Sequence, residues 1–458
     1  MADKDKQILK LGHEPNTFLF GVIGEGIVVN FARFYYGIHV KKDPVVTKMK
    51  GPLVVMGNHP SYLDPFVMAM ALYGRKMNFV AGAFLFRSRI VGPMFAAGGC
   101  IPKVQFRSDT RAVKAMLAVL KRGGTLGIFP EGTRFVDGTN IVIDDALARM
   151  IKKTNSGMAF LVSNGAYATW PRWSTNSFRR GRITGHISRA YSAEEVEAMT
   201  IEEIHQTMLR HLDYNENNWL RENPRTFKSK SIAAGAQNIA YVCPRCESEN
   251  MTVAEKDIIR CTKCGNQAQM DGSYFFHPVT EADRVFPDLH AWKEWEKDRI
   301  RERVKDALFV FSEPTILLRP WGEYEYREVG RGAISIKNRN IVYEGTECAI
   351  EAGITYSKKE LKAAKRKRSI PTDVIEKAPV VIKSFPVEKI RGISAEYGKR
   401  FELTENGGQI NRFIMQNGQR VLELQLIIQC LQEAAKALTD NQMSISQSVM
   451  RSEDPASE

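Results

Sequence analysis

The stretch Leu53-Val54-Val55-Met56-Gly57-Asn58-His59-Pro60-Ser61-Tyr62-Leu63-Asp64-Pro65 decides how the first half of the chain is read. Its apolar run has the character of a buried strand, and a polar, proline-punctuated loop follows at once. Open α/β sheets place ligand sites at such carboxyl ends of strands. His59 precedes a proline, which pushes its backbone toward the extended region. Asp64-Pro65 reads as a helix N-cap followed by a first helical residue. An imidazole facing a carboxylate across such a loop can be held in one tautomer and act as a general base. The plain alternative is that Asp64 is only a cap and His59 only a loop residue.

A second strand–loop unit lies downstream. In Arg111–Leu120 the apolar residues Val113, Met116, Leu117 and Leu120 have helical spacing, and Gly123-Gly124 can end the helix in a left-handed conformation. Thr125–Phe129 is strand-like, and Pro130-Glu131-Gly132-Thr133-Arg134 follows directly. Glu131 and Arg134 can present a carboxylate and a guanidinium to one ligand, or pair with each other across the turn. Arginine suits phosphate because its planar fork donates two bonds at once.

Together these segments resemble the glycerolipid acyltransferases, specifically the 1-acylglycerol-3-phosphate acyltransferase family. The family's Asn-His-x-x-x-x-Asp block is matched by Asn58, His59 and Asp64, and its Phe-Pro-Glu-Gly-Thr-Arg block by Phe129 through Arg134. A Gly-x-Ile-Pro block is matched by Gly99-Cys100-Ile101-Pro102, with Lys103 and Arg107 as the nearby cations. The fourth block normally carries a proline in an apolar strand. Phe160-Leu161-Val162-Ser163 has none, although Gly165-Ala166-Tyr167 and Trp170-Pro171-Arg172 keep the character of the loop that follows.

The resemblance implies an α/β domain with a mostly parallel central sheet and transfer of a fatty acyl group from a thioester to 1-acylglycerol 3-phosphate, giving phosphatidate. His59 would be the base and Asp64 its orienting partner. Arg134, with Lys103 or Arg107, would hold the acceptor phosphate, and Glu131, Gly132 and Thr133 would shape the pocket. The donor would be acyl-CoA or an acyl carrier protein thioester. Glycerol 3-phosphate or another lysophospholipid is an alternative acceptor, and a non-catalytic lipid- or protein-binding scaffold is the alternative of another class. Ser61 and Cys100 are nearby nucleophiles, but as a turn residue and a small core residue they leave direct transfer as the expectation.

The chain has 458 residues, 43% of them hydrophobic, and a formal net charge of +13, which favours anionic partners. Phe18–Tyr36 is apolar and aromatic but is interrupted by Glu25, Asn30 and Arg33, and no small-residue cleavage site follows it. Contact with an anionic membrane surface, by insertion rather than spanning, is the expectation, and it places the protein on the cytoplasmic face. The basic runs Arg179-Arg180-Gly181-Arg182 and Lys365-Arg366-Lys367-Arg368 read as solvated surface or loop; the first lies near the catalytic half and is a candidate for membrane contact.

Cys243-Pro-Arg-Cys246 and Cys261-Thr-Lys-Cys264 are paired knuckles separated by fourteen residues. Four thiolates at this spacing can close a tetrahedral shell around a structural zinc ion, with no open position for catalysis. Between Tyr241 and Gly272 four basic residues (Arg245, Lys256, Arg260, Lys263) face five acidic ones (Glu247, Glu249, Glu255, Asp257, Asp271). A net charge of minus one is a poor footprint for a phosphate backbone, so no nucleic-acid partner is expected.

The expected organisation is a membrane-contacting segment at 1–40, the acyltransferase domain at 41–235, the zinc ribbon at 238–278, a helix plus β-rich module at 285–440, and a disordered polar tail at 441–458. Lys228–Gln237 reads as a linker. In the β-rich module Ala333–Ile336, Ile341–Tyr343, Phe401–Leu403 and Phe413–Met415 read as strands. Asn406-Gly407 and Asn417-Gly418 read as turns, and a closing helix carries Val421, Leu424, Ile428, Leu431, Ala435 and Leu438 on one stripe. Strands capped by one helix resemble a pleckstrin-homology-like module.

Overall fold

The computed structural model describes residues 12–89, 91–105, 109–141, 143–176, 179–306, 309–321, 325–355, 373–390, 393–405 and 409–452. The chain divides into two compact units, Met1–Trp292 and Lys293–Glu458.

The first unit is built on strands β1 (Ile38–Val40), β2 (Leu53–Gly57), β3 (Asn78–Gly82), β4 (Ile101–Lys103), β5 (Thr125–Ile128), β6 (Gly157–Asn164) and β7 (Ile183–Tyr191), in the order β1-β7-β6-β2-β5-β3-β4. β2 pairs in parallel with β5 on one side and β6 on the other. Only the β6–β7 junction is antiparallel, so the sheet is mixed but mostly parallel. All five residues of β2 are buried because helices cover both faces of the sheet. Alternation along the strand splits the core in two. Val54 and Met56 join Leu126, Phe160 and the helices Thr110–Lys121, Ala146–Thr154 and Ile201–Leu212. Leu53 and Val55 join Ala159, Leu161 and the helix Asp64–Ala71 on the other face.

The helix Thr110–Lys121 buries Ala112, Ala115, Met116, Val119 and Leu120, whereas Val113 is exposed. The expected stripe is therefore rotated, because small alanines rather than Val113 meet the sheet. Asp109 caps the helix through Ala112 N, and Gly123 ends it at φ +77°.

The segment read as residues 1–40 is part of this unit. A π-helix over Phe18–Val29 runs into an α-helix over Asn30–Tyr36, Gly37 turns the chain at φ +68°, and β1 then pairs with β7. Glu25, which interrupts the apolar run, points inward and accepts from Gly74 N at 2.8 Å. Phe18, Val22, Ile27, Phe31 and Phe34 are left exposed. A π-helix turns about once every 4.4 residues, which aligns positions four or five apart on one face. Among the described residues no helix is long and apolar enough to cross a membrane.

The ribbon strands β8 (Thr252–Glu255), β9 (Ile258–Cys261), β10 (Gln267–Met270) and β11 (Phe276–Pro278) form an antiparallel sheet. This sheet belongs to the first unit and is not a separate body. Phe227 N donates to Gly272 O at 2.7 Å, Ser273 Oγ donates to Arg225 O at 2.9 Å, and the buried Tyr274 ring lies against Tyr167, Trp173 and Phe227. The expected linker at 228–237 is likewise structural: Ile232, Ala233 and Ala236 are buried, and Lys228 exchanges backbone hydrogen bonds with Arg180. Arg179, expected in a solvated run, is 0% exposed. Its Nη2 donates to Ile232 O at 2.7 Å, and Trp173 and Tyr274 flank its guanidinium.

The second unit carries an eight-stranded antiparallel sheet: β12 (Phe311–Trp321), β13 (Glu325–Lys337), β14 (Asn340–Thr346), β15 (Ile354–Thr355), β16 (Val380–Pro386), β17 (Ser394–Glu396), β18 (Arg400–Thr404) and β19 (Ile410–Met415). All four expected strand segments lie in it, and Asn417-Gly418 turns the chain from β19 into the closing helix. That helix buries Val421, Leu424, Ile428 and Leu431. It spans Arg420–Ser452 and so runs through most of the stretch expected to be a disordered tail. The reason is local: no glycine or proline interrupts Arg420–Ser452, and Pro455 comes only after it. The Lys365–Arg368 run and Asn406-Gly407 lie outside the described residues.

The rotated helix face is testable by differential calorimetry. Met116→Ala should destabilise the first unit by about 2–5 kcal/mol, and Val113→Ala should stay within about 0.5 kcal/mol of the parent.

Candidate acyl-transfer site

The site forms where β2 and β5 deliver their loops to the same edge of the sheet. Asn58 fixes the first loop to β6, its side chain donating to Ser163 O at 3.0 Å and accepting from Ser163 N at 2.8 Å. His59 O accepts from Phe135 N at 3.0 Å, which ties the first loop to the end of the second. The His59 ring stacks on Phe129 with centroids 4.5 Å apart. Its Nδ1 donates to Asp64 Oδ2 at 2.8 Å, which leaves Nε2 to accept a proton.

Asp64 is not the expected N-cap. The helix begins at Asp64 itself, with Leu63 at the cap position, and the carboxylate turns back to accept from Ser61 N at 2.8 Å and from the imidazole. That geometry orients the ring instead of capping the helix. Asp64 is fully buried, with Oδ1 unpartnered. Burial pushes its carboxyl well above the usual range, opposed by the Ser61 amide and Arg134. Burial first, then the charges of Arg134 and Arg172, hold His59 well below the usual imidazole value, so the ring is neutral.

Glu131 and Arg134 do not pair with each other. Both Glu131 carboxyl oxygens are buried without a hydrogen bond of good geometry; burial and then Asp64 raise this carboxyl strongly, opposed by the Glu131 and His59 amides. Arg134 packs over the Tyr62 ring with its carbon 3.8 Å from the centroid, and its Nε is buried and unbonded. Unsatisfied buried polar atoms are costly, and a ligand bearing hydroxyls and an anion would satisfy both groups. Gly132 turns the loop at φ +70°, and its carbonyl accepts from Gln105 Nε2 at 2.7 Å. Thr133 Oγ1 accepts from Arg172 Nη1 at 2.5 Å.

Lys103 ends the edge strand β4, and the Gln105–Gly132 bond joins the loop after it to the second block. Arg107 lies outside the described residues. Two contributors were missed at the sequence level. Arg172 brings a second guanidinium close to His59. Glu216, 0% exposed and with its carboxyl pushed up to about 7 by burial, accepts from Gly165 N at 3.1 Å and Ala168 N at 3.2 Å and holds the loop below the site. Only the Trp170-Pro171-Arg172 segment had offered a signal. Burial pushes the Cys100 thiol up to about 11, which makes it a poor nucleophile at neutral pH.

At the second cluster the ligand atoms of Cys243, Cys246, Cys261 and Cys264 all lie within 4.8 Å of one another, with Cys243–Cys264 at 3.6 Å and Cys246–Cys261 at 3.8 Å. Tetrahedral zinc with sulfur at about 2.3 Å requires sulfur–sulfur separations of about 3.8 Å, so the set fits such an ion. Gly265 closes the second knuckle at φ +76°, donating to Cys261 O at 3.0 Å.

Residues 37–165 match the family profile described as Acyltransferase, and residues 236–267 match one described as DNA directed RNA polymerase, 7 kDa subunit. The first of these matches covers little more than a quarter of the chain and takes in both the β2 and the β5 loops. A chloroplastic 1-acyl-sn-glycerol-3-phosphate acyltransferase of Arabidopsis thaliana is 24% identical over 151 residues, 32% of this chain and 42% of that protein. One of Brassica napus is 29% identical over 89 residues, 19% of this chain and 25% of that protein. The chain thus spans less than half the length of these relatives. The crystal structure of the 1-acyl-sn-glycerophosphate acyltransferase of Thermotoga maritima is similar at 20% identity and a TM-score of 0.35, covering 44% of this chain and 78% of that one.

Two outcomes follow from the electrostatics and the thiol cluster. Because His59 binds its proton more weakly folded than unfolded, the unfolded state takes up more protons as pH falls below about 6.5. The thermal midpoint of the parent should therefore drop relative to His59→Gln between pH 7 and pH 5, with no such divergence above pH 7. Stripping metal with a chelator should lower the melting temperature of the first unit in calorimetry, and Cys246→Ser should abolish the effect of chelator.

Proposed function

We propose that this chain transfers a fatty acyl group from a thioester to 1-acylglycerol 3-phosphate, giving phosphatidate. The observation that carries the reading is the His59–Asp64 bond of 2.8 Å with two guanidiniums close to the imidazole and Glu131 buried beside them. A neutral imidazole is the natural acceptor for the proton of an alcohol attacking a carbonyl already activated by sulfur.

Transfer proceeds without a covalent enzyme intermediate. The acceptor hydroxyl oxygen bonds to the thioester carbonyl carbon as His59 Nε2 takes the hydroxyl proton. The tetrahedral adduct then breaks its carbon–sulfur bond, and the departing thiolate recovers the proton from the imidazolium. Asp64 keeps the ring oriented and stabilises its transient charge without becoming the proton's destination. Arg134 and Arg172 hold the acceptor phosphate, helped by Lys103 or Arg107, and Glu131, Gly132 and Thr133 shape the pocket around the acceptor. The thioester is that of coenzyme A or of acyl carrier protein.

The exposed row Phe18, Val22, Ile27, Phe31 and Phe34 supports insertion of the N-terminal helix into the interface of an anionic membrane, on its cytoplasmic face. The four cysteines would hold a structural zinc ion that fixes the two knuckles. The second unit would serve as a pleckstrin-homology-like module for a headgroup or a partner.

A panel of lysophosphatidate, other lysolipids and glycerol 3-phosphate, each offered with both thioester classes, tests the assignment. Lysophosphatidate should be the preferred acceptor. His59→Ala should reduce turnover by about 10²–10⁴-fold, with circular dichroism and zinc content unchanged. Full activity in that variant would remove His59 as the base.

A further inference from the structure

Beside the N-terminal helix a surface cavity of about 450 Å³ is lined by Phe31, Phe34, Tyr35 and Tyr36 together with Arg180. Gly37 and Gly181 also line it and meet so closely that a Cβ on Gly37 would lie 2.6 Å from Gly181 O. Phe34 is 83% exposed and Phe31 61%, so half of the wall is apolar surface left to solvent. Among the described residues no carboxylate lines the cavity. Arg182, Arg33 and Arg225 add positive charge around His39 on β1, the strand that follows Gly37.

The cavity is also connected to the site. The Tyr36 ring stacks on Trp170 at 6.1 Å, Trp170 lies 5.0 Å from the Tyr62 ring, and Tyr62 carries the Arg134 guanidinium on its face. Ser61 Oγ donates to Trp170 O at 3.2 Å, fastening this aromatic path to the His59 loop. An acyl chain lying on such rings takes apolar surface out of water along the route.

We propose that this groove seats a phosphate-bearing lipid, its phosphate against Arg180 and its acyl chain along Phe31 and Phe34, at the outer end of an aromatic path leading to His59. The proposal deepens the membrane reading above and rests on it in taking the ligand from a bilayer. The charge of the rim selects an anionic headgroup, and the exposed rings select a tail; a bare anion would leave the rings wet. Lipid leaves or enters the bilayer beside the helix and moves over Trp170 toward the pocket.

Tryptophan quenching by brominated acyl chains in vesicles tests this with the full chain. Dibrominated phosphatidate diluted in phosphatidylcholine should quench the Trp170 contribution, and equal amounts of dibrominated phosphatidylcholine should quench it far less. Trp170→Phe should remove the difference, and Phe34→Ser should reduce it. Arg180→Gln should raise the phosphatidate needed for half-quenching about fivefold, the loss of one cation near a lipid surface, with Arg180→Lys restoring most of it. Equal quenching by the two lipids, or no response to Arg180→Gln, would overturn the proposal. Displacement of the lipid by equimolar inorganic phosphate would do the same, leaving only a bare-anion site. His59→Ala should quench like the parent, so the groove and the catalytic assignment stand or fall separately.

Discussion

The structure depends on one constraint: a carboxylate with no exposure to water must sit within bonding distance of an imidazole at the end of the central strand. Asp64 can be buried there because the Ser61 amide and the His59 ring both donate to it. His59 in turn is fixed by Phe129 below it and by its own carbonyl, which receives Phe135 N. Each of these partners comes from the β2 or β5 loop, and those loops meet only because the two strands are parallel neighbours. Sheet register and the protonation state of one ring are thus parts of the same arrangement.

The second group of contacts supplies positive charge beside the imidazole. Two guanidiniums near His59 discourage its protonation, and the Tyr62 face and Thr133 hydroxyl position them. Glu131 stays unpaired in a buried site, which suits a group whose partner arrives with the ligand. Glu131 and Arg134 do not neutralise each other, because the guanidinium lies on the Tyr62 ring instead.

How much of this could be read beforehand follows from distance along the chain. The strand, loop, His59, Asp64 and the Phe129–Arg134 block were legible because each unit of chemistry is contained in a few consecutive residues. The cysteine knuckles were legible for the same reason. Arg172 and Glu216 were not, since their partners lie 39 and 51 positions away; the Trp170-Pro171-Arg172 loop was noticed for its character alone, and nothing beside Glu216 marks it. The Asp64 cap was misread because Asp-Pro is as good a helix start as it is a hinge for a carboxylate that turns backward. Arg179 was misread because charge runs say nothing about packing, and here two rings and a carbonyl take the guanidinium out of solvent. The last helix outran its expected end because polarity alone does not break a helix that lacks glycine and proline.

The seam between the thiol knuckles and the sheet has a practical meaning for anyone dissecting the protein. Tyr274 adopts φ +70°, rare for a residue with a side chain, and its ring fills the space among Tyr167, Trp173 and Phe227. A fragment trimmed at residue 235 would strip that ring away and open a hole beside the loop carrying Trp170. The cysteine-bearing hairpin is thus a keystone of the first unit, and the smallest self-sufficient fragment of that unit extends through it.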